Sequence, residues 1–554
     1  MRGRALRAVV GAAVISICLP ALALGHAERT SYFPNFDPST GEFGPVTGSA
    51  PKYRKSGGNE LVVCKDDSAA RIASMPRGAK RLRAEALLPA CAYQHIQAAV
   101  DAAVSDDRIL VLPGTYREEP SNTASPECEG LYQRARDHGV FSYEDHLACP
   151  NAANAIAVLG DGPDPDRACD RLCNLQIEGV GGREYVTLEG ERAKLNLVRA
   201  DRADGFVLKG LELVHSDFNN VYVLETNGFR LEDLETHDSR EYGALSFASD
   251  HGVYNRIEAY RNGDSGVYPG SGPERPGCSP EAADNYGIEI KNVDSHDNTI
   301  GYSGTAGNHI YAHDNKFHDN ATGITTDSFA SNHPGMPQDC ARWERNEIYS
   351  NNLDLFNDEH DAYCKQAPED REDPEDHPTC PTFQVPVGTG ILIAGGNANI
   401  VGDNYIYDNW RWGTAVLWVP AALRGDDDSG QSDNDVFNQY DTSHDNRYVG
   451  NRMGVRPDGS PDPNGLDHWW DEEGRGNCWS GNTGPGGSTP TSDPLLLPKC
   501  ENGGSIFTPG NPVKQASNAT CTMWNPRDNT DPPGCSWFTQ PPEPESRPVL
   551  PLGR

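Results

Sequence analysis

Six side chains fall at matching places in a recurring phrase, and together they have the makings of a proton-transfer site. In GVYNRI (252–257), GIEIKNV (287–293) and HIYAHDNKF (309–317), one polar-facing position carries Tyr254, Glu289 and Tyr311. The next carries Arg256, Lys291 and His313. If the phrases are strands stacked about 4.8 Å apart, these residues form an aromatic column beside a basic row. Sugar rings stack on aromatic faces, and a basic row can hold a uronate carboxylate. Removing the proton next to such a carboxylate requires its charge to be neutralised and a base of tuned pKa. Lys291, between cationic neighbours, would have a lowered pKa and fits the role of base. The ordinary alternative is a ladder of cross-strand ion pairs that solvates the sheet.

Three further groups carry chemistry. In GITTDSFASNHPGMPQDC (323–340), Asp327 ends a strand and His333 lies in the loop after it, a carboxylate and an imidazole suited to acid–base work or metal binding. Trp410, Trp412 and Trp418 offer either a sugar platform or cap packing. In DEHDAYC (358–364), Asp358, His360 and Asp361 resemble the short D-P-H-D signature of alginate C-5 epimerases and related lyases, with Glu359 where that signature has proline. The surrounding loop holds nine acidic and two basic residues between Asp358 and Pro378. Ca²⁺ is the cation it could take, through Asp358 and Asp361, although EF-hand spacing is lacking. No other cofactor is expected. The chain has no Gly-rich phosphate loop and no G-x-S-x-G, which leaves nucleotide use and serine-hydrolase chemistry without support.

What must position these groups is the repeat itself. Aligned on their first apolar residue, the phrases begin at Phe206, Phe229, Val253, Ile288, Ile310 and Ile400, with uninterrupted steps of 23, 24 and 22 residues. Each alternates apolar and polar residues as a strand with one buried face does. Each is closed by a turn residue: Asp233, Asn292, Asn315, Asn346 or Asn404. A second beat follows in HDN (296–298), HDN (318–320), SNN (350–352) and YDN (407–409), then a glycine and another strand. Short strands and Asn/Asp/Gly turns at this period predict an all-β fold, a parallel β-helix solenoid. Insertions at about 269–284, 329–340 and 419–442 leave at one phase of the repeat and should wall a groove. A fourth, about 357–387, leaves one corner earlier.

In YQHIQAAVDAAVSDDRILVLPGTYRE (93–118), helical spacing of Ile96, Ala99, Val100 and Ala103 precedes a buried strand and a Pro-Gly turn. Here, and again over 174–454, the chain resembles pectin-lyase-like right-handed β-helix proteins, nearest to secreted actinobacterial members that lack an assigned reaction. The resemblance implies a right-handed solenoid of PbH1-type repeats with an N-terminal cap helix.

Arg2, Arg4 and Arg7 before an apolar run from Ala8 to Leu24 predict a signal peptide over 1–27. The expected order is then an extension (28–92), cap and first repeats (93–160), β-helix (161–455), a Cys/Trp-rich cap (456–540) and a Pro-rich tail (541–554). Fourteen cysteines remain after the signal. Export favours disulfides over zinc, with local pairs Cys128–Cys149, Cys169–Cys173, Cys364–Cys380, Cys478–Cys500 and Cys521–Cys535. A net charge of −34 argues against nucleic acid as a partner, and no later apolar run is long enough to span a bilayer. The expectation is a secreted, monomeric glycan-recognising protein, extracellular or at the cell surface. Its enzymatic reading is a polysaccharide lyase acting on uronate polymers, with epimerase or glycoside hydrolase behind it. Its alternative is a non-catalytic carbohydrate-binding or cell-surface structural protein.

Overall fold

The computed structural model describes residues 31–37, 40–138, 141–162, 169–273, 275, 286–329, 333–366, 371, 379–419, 443–506, 510–522 and 535–545. The expected signal peptide, most of the acidic loop and the 420–442 insertion lie outside these. Among the described residues most strands belong to two long parallel sheets, one 11-stranded and one 21-stranded, and the chain alternates between them repeat after repeat. The second is the wider because most repeats give it two short strands, such as Ile288–Lys291 and Asp294–His296, with a corner between them.

The corners explain the Asn/Asp beat. Asp233, Asn292, Asp314, Arg345 and Asp403 all have φ between 52° and 57°, the left-handed region. Each such residue costs about 1 kcal/mol or more when it is not glycine. The compensation lies one residue on. Asn315 donates from Nδ2 to Asn346 Oδ1 at 2.9 Å, Asn346 to Asn404 at 3.1 Å, Asn404 to Asn451 at 3.0 Å and Asn451 to Asn482 at 2.9 Å. The same Oδ1 atoms also accept backbone N–H bonds, and the second amide proton reaches a carbonyl, as from Asn315 to Ile290 O at 3.0 Å. A second ladder runs Asn262, Asn298, Asn320, Asn351, Asn409 and Asn464 at 2.9–3.1 Å. Asn315, Asn346 and Asn404 are therefore buried ladder rungs and not the left-handed turn residues expected of them.

The pairing register also corrects the repeat alignment. Phe206 stands beside Phe229, but Phe229 stands beside Gly252, and Gly252 beside Ile288. Val253 is thus one position out of the core column. So is Ile400, which pairs Arg342. Gly252 is required because a Cβ there would lie 2.2 Å from the Phe229 ring. A second inner column, two positions along each strand, runs through Leu231, Tyr254, Ile290, Ala312 and Trp343, all fully buried.

The ends depart from expectation in detail. The helix Ile96–Ala102 and strand Arg108–Val111 are present, preceded by two further helices, Ser68–Ser74 and Ala79–Leu87. Both sheets run past Gly454, through His468–Trp470, Cys478–Ser480 and Ser492–Asp493. The five local disulfides are formed. Cys64–Cys91 is a sixth, which sequence spacing did not single out, and Cys340 is also bonded.

Replacing one rung leaves its neighbours' buried amides short of partners. Asn315→Ala should destabilise by roughly 2–4 kcal/mol through orphaned donors and acceptors. Thermal unfolding followed by circular dichroism checks this, and an unchanged midpoint would mean the ladder is incidental.

Candidate active site

The row expected to do chemistry is a charge-paired surface. Tyr254 points inward, fully buried, edge-on to Phe229 at 5.7 Å, and binds nothing outside. Arg256 sits at the left-handed corner, one step beyond the row, with its guanidinium 2.8 Å from Glu232. Asn255 occupies the place assigned to it beside Lys291. Lys291 therefore lies between Asn255 and His313, not between cations, and its Nζ donates to Glu289 at 2.7 Å. His313 contacts Glu289 at 3.1 Å and Asp314 at 2.6 Å. Tyr311 stacks on His313 and lies under Arg342. Each group has a protein partner, which is the solvated ladder.

The neighbouring strand column carries a second ladder. His237, Tyr260, His296, His318, Tyr349 and Tyr407 stack ring on ring at 4.5–5.3 Å. Stacked faces are covered by one another, so a sugar ring meets only edges. The His318 Nε2 meets Asp294 at 2.8 Å and its Nδ1 meets Asp319 at 2.7 Å. His237 is held likewise by Glu212 and Asp238.

Of the remaining expected residues, Trp410 donates to Asp408 at 2.7 Å, and Trp412 packs on Trp469 and Trp537 in a C-terminal cluster. Trp418 is half-buried beside the same strand, with its backbone N–H on Asp471. These contacts are cap packing. Asp358 and Asp361 lie in a helix, Asp358–Cys364, capped by Asn357, with Asp361 paired to Lys365. Two groups among the described residues have ion-binding proximity: His360 with Cys364 and Cys380, and Glu212 with Glu235 and His237. The two cysteines of the first are joined in a disulfide.

A third arrangement does bring unlike reactive groups together, on the outer face of the 11-stranded sheet. The 269–284, 329–340 and 419–442 insertions all leave at the ends of its strands Ser265–Gly270, Thr322–Asp327 and Trp412–Leu417. At these strand ends Tyr268 Oη meets His333 Nε2 at 3.3 Å. Tyr268 also faces Thr305, Asp327 and Asp264. Thr305 donates to Asp327 at 3.0 Å, and Asp327 accepts the Phe329 N–H at 3.1 Å. Tyr242 packs against Tyr268 with ring centres 4.5 Å apart and planes tilted by 45°, and it hydrogen-bonds Asp264. Glu241 is buried beside Asp264.

Burial sets the electrostatics. It pushes Asp264 up to about 6, against the pull of Ser265 and Tyr242. Burial, with the charge of Asp264 behind it, lifts Glu241 well above the usual carboxylate range. Asp327 is raised by burial, against hydrogen bonds from Phe329 and Thr305. Tyr268 is driven well above an ordinary phenol by burial and by Asp327. Carboxyls pushed upward by burial beside a phenol–imidazole pair are an acid–base constellation. Asp327 and His333 were legible in sequence. Glu241, Tyr242, Asp264 and Tyr268 were not, since they belong to no motif.

No family model and no curated protein sequence matches the chain. Among solved structures it is similar to the Azotobacter vinelandii mannuronan C-5 epimerase AlgE6 A-module, 13% identical over 75% of this chain and 92% of that one, with a TM-score of 0.40. Pectate lyase Pel9A is 12% identical over 78% and 79%, with a TM-score of 0.34. A GH87 alpha-1,3-glucanase from Streptomyces thermodiastaticus is 11% identical over 81% and 67%, with a TM-score of 0.37. Likenesses this distant assign no activity, and the chemistry rests on the residues above.

The ring ladder has its own consequence. His237 and His318 are each raised from 6.5 to about 9, burial opposing and the flanking carboxylates prevailing. A raised folded-state value stabilises fully below 6.5 and is lost as pH climbs through about 9. The thermal midpoint should therefore fall between neutral pH and pH of about 10. A flat profile would contradict the ladder's ionisation.

Proposed function

We propose that this chain is a secreted, monomeric glycan-active enzyme, a right-handed parallel β-helix closed by its two sheets, that cleaves uronate polymers by elimination in the groove over the 11-stranded sheet. The observation that carries the reading is the Tyr268–His333 contact among carboxyls held above their usual range. The Tyr268 oxygen removes the C5 proton as its own proton passes to His333 Nε2. The C4–C5 double bond forms, the C4–O bond breaks, and the pair returns a proton to the leaving oxygen. Below pH of about 6 Asp264 carries a proton to donate to the substrate carboxylate, and burial pushes Glu241 beside it in the same direction. In that form Asp264 presents no charge to repel an anionic substrate. No metal enters this account.

Hydrolysis is the second reading, favoured by the carboxyls Glu241, Asp264 and Asp327, of which Asp264 at about 6 has the value a general acid needs.

Incubation with polymannuronate, polygalacturonate and a neutral glucan separates the readings. Elimination yields the ultraviolet absorbance of an unsaturated uronate, whereas hydrolysis yields reducing ends without it. Tyr268→Phe and His333→Ala should each lower the rate roughly 100-fold or more. Because Asp264 must stay protonated for elimination, activity should fall as pH rises through about 6. Full activity in both variants would overturn the site.

A further inference from the structure

Above this cluster lies a piece of the chain that belongs to neither long sheet. Phe36–Asp37 and Glu42–Phe43 form a separate two-stranded antiparallel pair. Its aromatic side chains hold together, Tyr32 on Phe36 at 5.4 Å and Phe36 on Phe43 at 5.0 Å. From it Phe33, 2% exposed, enters one apolar cluster with Tyr222, Tyr242, Phe247 and Tyr268. On its other side is the 329–340 insertion, where a Cβ at Gly335 would come within 3.0 Å of the Phe33 ring. Phe33 thus shares one apolar cluster with both tyrosines of the acid–base cluster and lies against Gly335 of that insertion.

The hairpin is tethered separately from this contact. The following segment crosses to the other sheet and is pinned by polar bonds there. Asn227 donates to Thr47 O at 3.1 Å, Arg230 to Pro51 O at 2.7 Å, and Tyr53 to Glu178 at 2.9 Å. The Arg54 N–H reaches Gln176 at 2.9 Å. These anchors do not involve Phe33, so they would keep the segment attached if the hairpin, whose Tyr32 N–H also bonds Glu225 at 2.8 Å, left its seat. A tethered segment competes at the high effective concentration its short linker sets.

The floor beneath Phe33 is not what a permanent core looks like. It buries Glu241, Asp264, Tyr242 and Tyr268, and each is driven from its ordinary pKa by that burial. Burying such groups costs free energy that the hydrogen bonds present here only partly offset. Resting on the assignment of this face as the glycan site, we propose that residues 31–37 and 40–44 form an intramolecular plug, with Phe33 occupying the subsite for one pyranose ring, and that substrate or proteolysis displaces it. The apparent affinity of a plugged site is its intrinsic affinity scaled by the open fraction, so removing the plug improves binding and leaves turnover alone.

Full-length protein, a chain beginning at Pro45 and a Phe33→Ser variant should be compared on polymannuronate, polygalacturonate and a neutral glucan. Affinity-gel retardation and product formation are measured in parallel, with circular dichroism as the check on folding. The plug predicts KM and gel dissociation constants lowered by about tenfold or more in both variants, with kcat unchanged. Tighter retardation without product in any chain would uphold the plug and sink the catalytic reading. Product formed equally by all three chains, with KM unaltered, would uphold catalysis and sink the plug. If truncation unfolds the chain, Phe33→Ser alone decides, and unchanged KM and retardation in it overturn the proposal.

Discussion

Two columns of buried asparagine amides are the constraint on which the rest of this molecule depends. In each rung the Oδ1 accepts from the previous side chain and a backbone N–H, while the Nδ2 protons go to the next rung and a carbonyl. Such a group in a dry interior is stable only when its neighbours sit one repeat away and nowhere else. A slip of one residue would orphan several buried donors and acceptors at once, at about 1–3 kcal/mol apiece. The ladders therefore set the register of both sheets. They also offset the strained corners that precede them, where residues as unsuited as Arg345 adopt φ of 53°.

Register decides which side chains meet. On the 21-stranded sheet it makes ladders of ions and rings whose members satisfy one another, as in Lys291–Glu289–His313 and the stack from His237 to Tyr407. These faces are internally complete and leave a ligand little to bind. On the 11-stranded sheet it stacks Tyr222, Leu245 and Tyr268 in a line, and Phe33 from the N-terminal segment and His333 pack onto them. Water is excluded there, and exclusion of water is what lifts the carboxyls toward protonation. The same stacking thus produces a solvated exterior on one side and a buried layer of carboxyls and phenols on the other.

Much of this architecture was legible in the chain. The Asn/Asp beat, the apolar alternation, the common phase of three insertions and the local cysteine pairs all correspond to observed features. What misled was a single-residue ambiguity. Gly252 looks like a turn glycine, yet it takes a core place because Phe229 fills the space its missing Cβ leaves. Reading Val253 as the core residue instead turned Tyr254 outward and moved Arg256 into a row it does not join. The repeat in ARWERNEIY was obscured in the same way, since its core place is held by small Ala341. The site escaped for a different reason. Asp327 and His333 stood out as chemistry-bearing types. Tyr242, Asp264 and Tyr268 gain meaning only from partners brought in by insertions and by a hairpin some 200 positions away, and no local pattern encodes that.

The most direct test of the amide columns is a double-mutant cycle on one link, Asn351→Ala and Asn409→Ala, joined by a 3.0 Å bond between side chains. If the rungs act as a connected ladder, the unfolding free energies of the single variants will exceed additivity, with a coupling of about 1–3 kcal/mol. Strict additivity within about 0.3 kcal/mol would show that the amides merely fill space, and the register argument would fall with them.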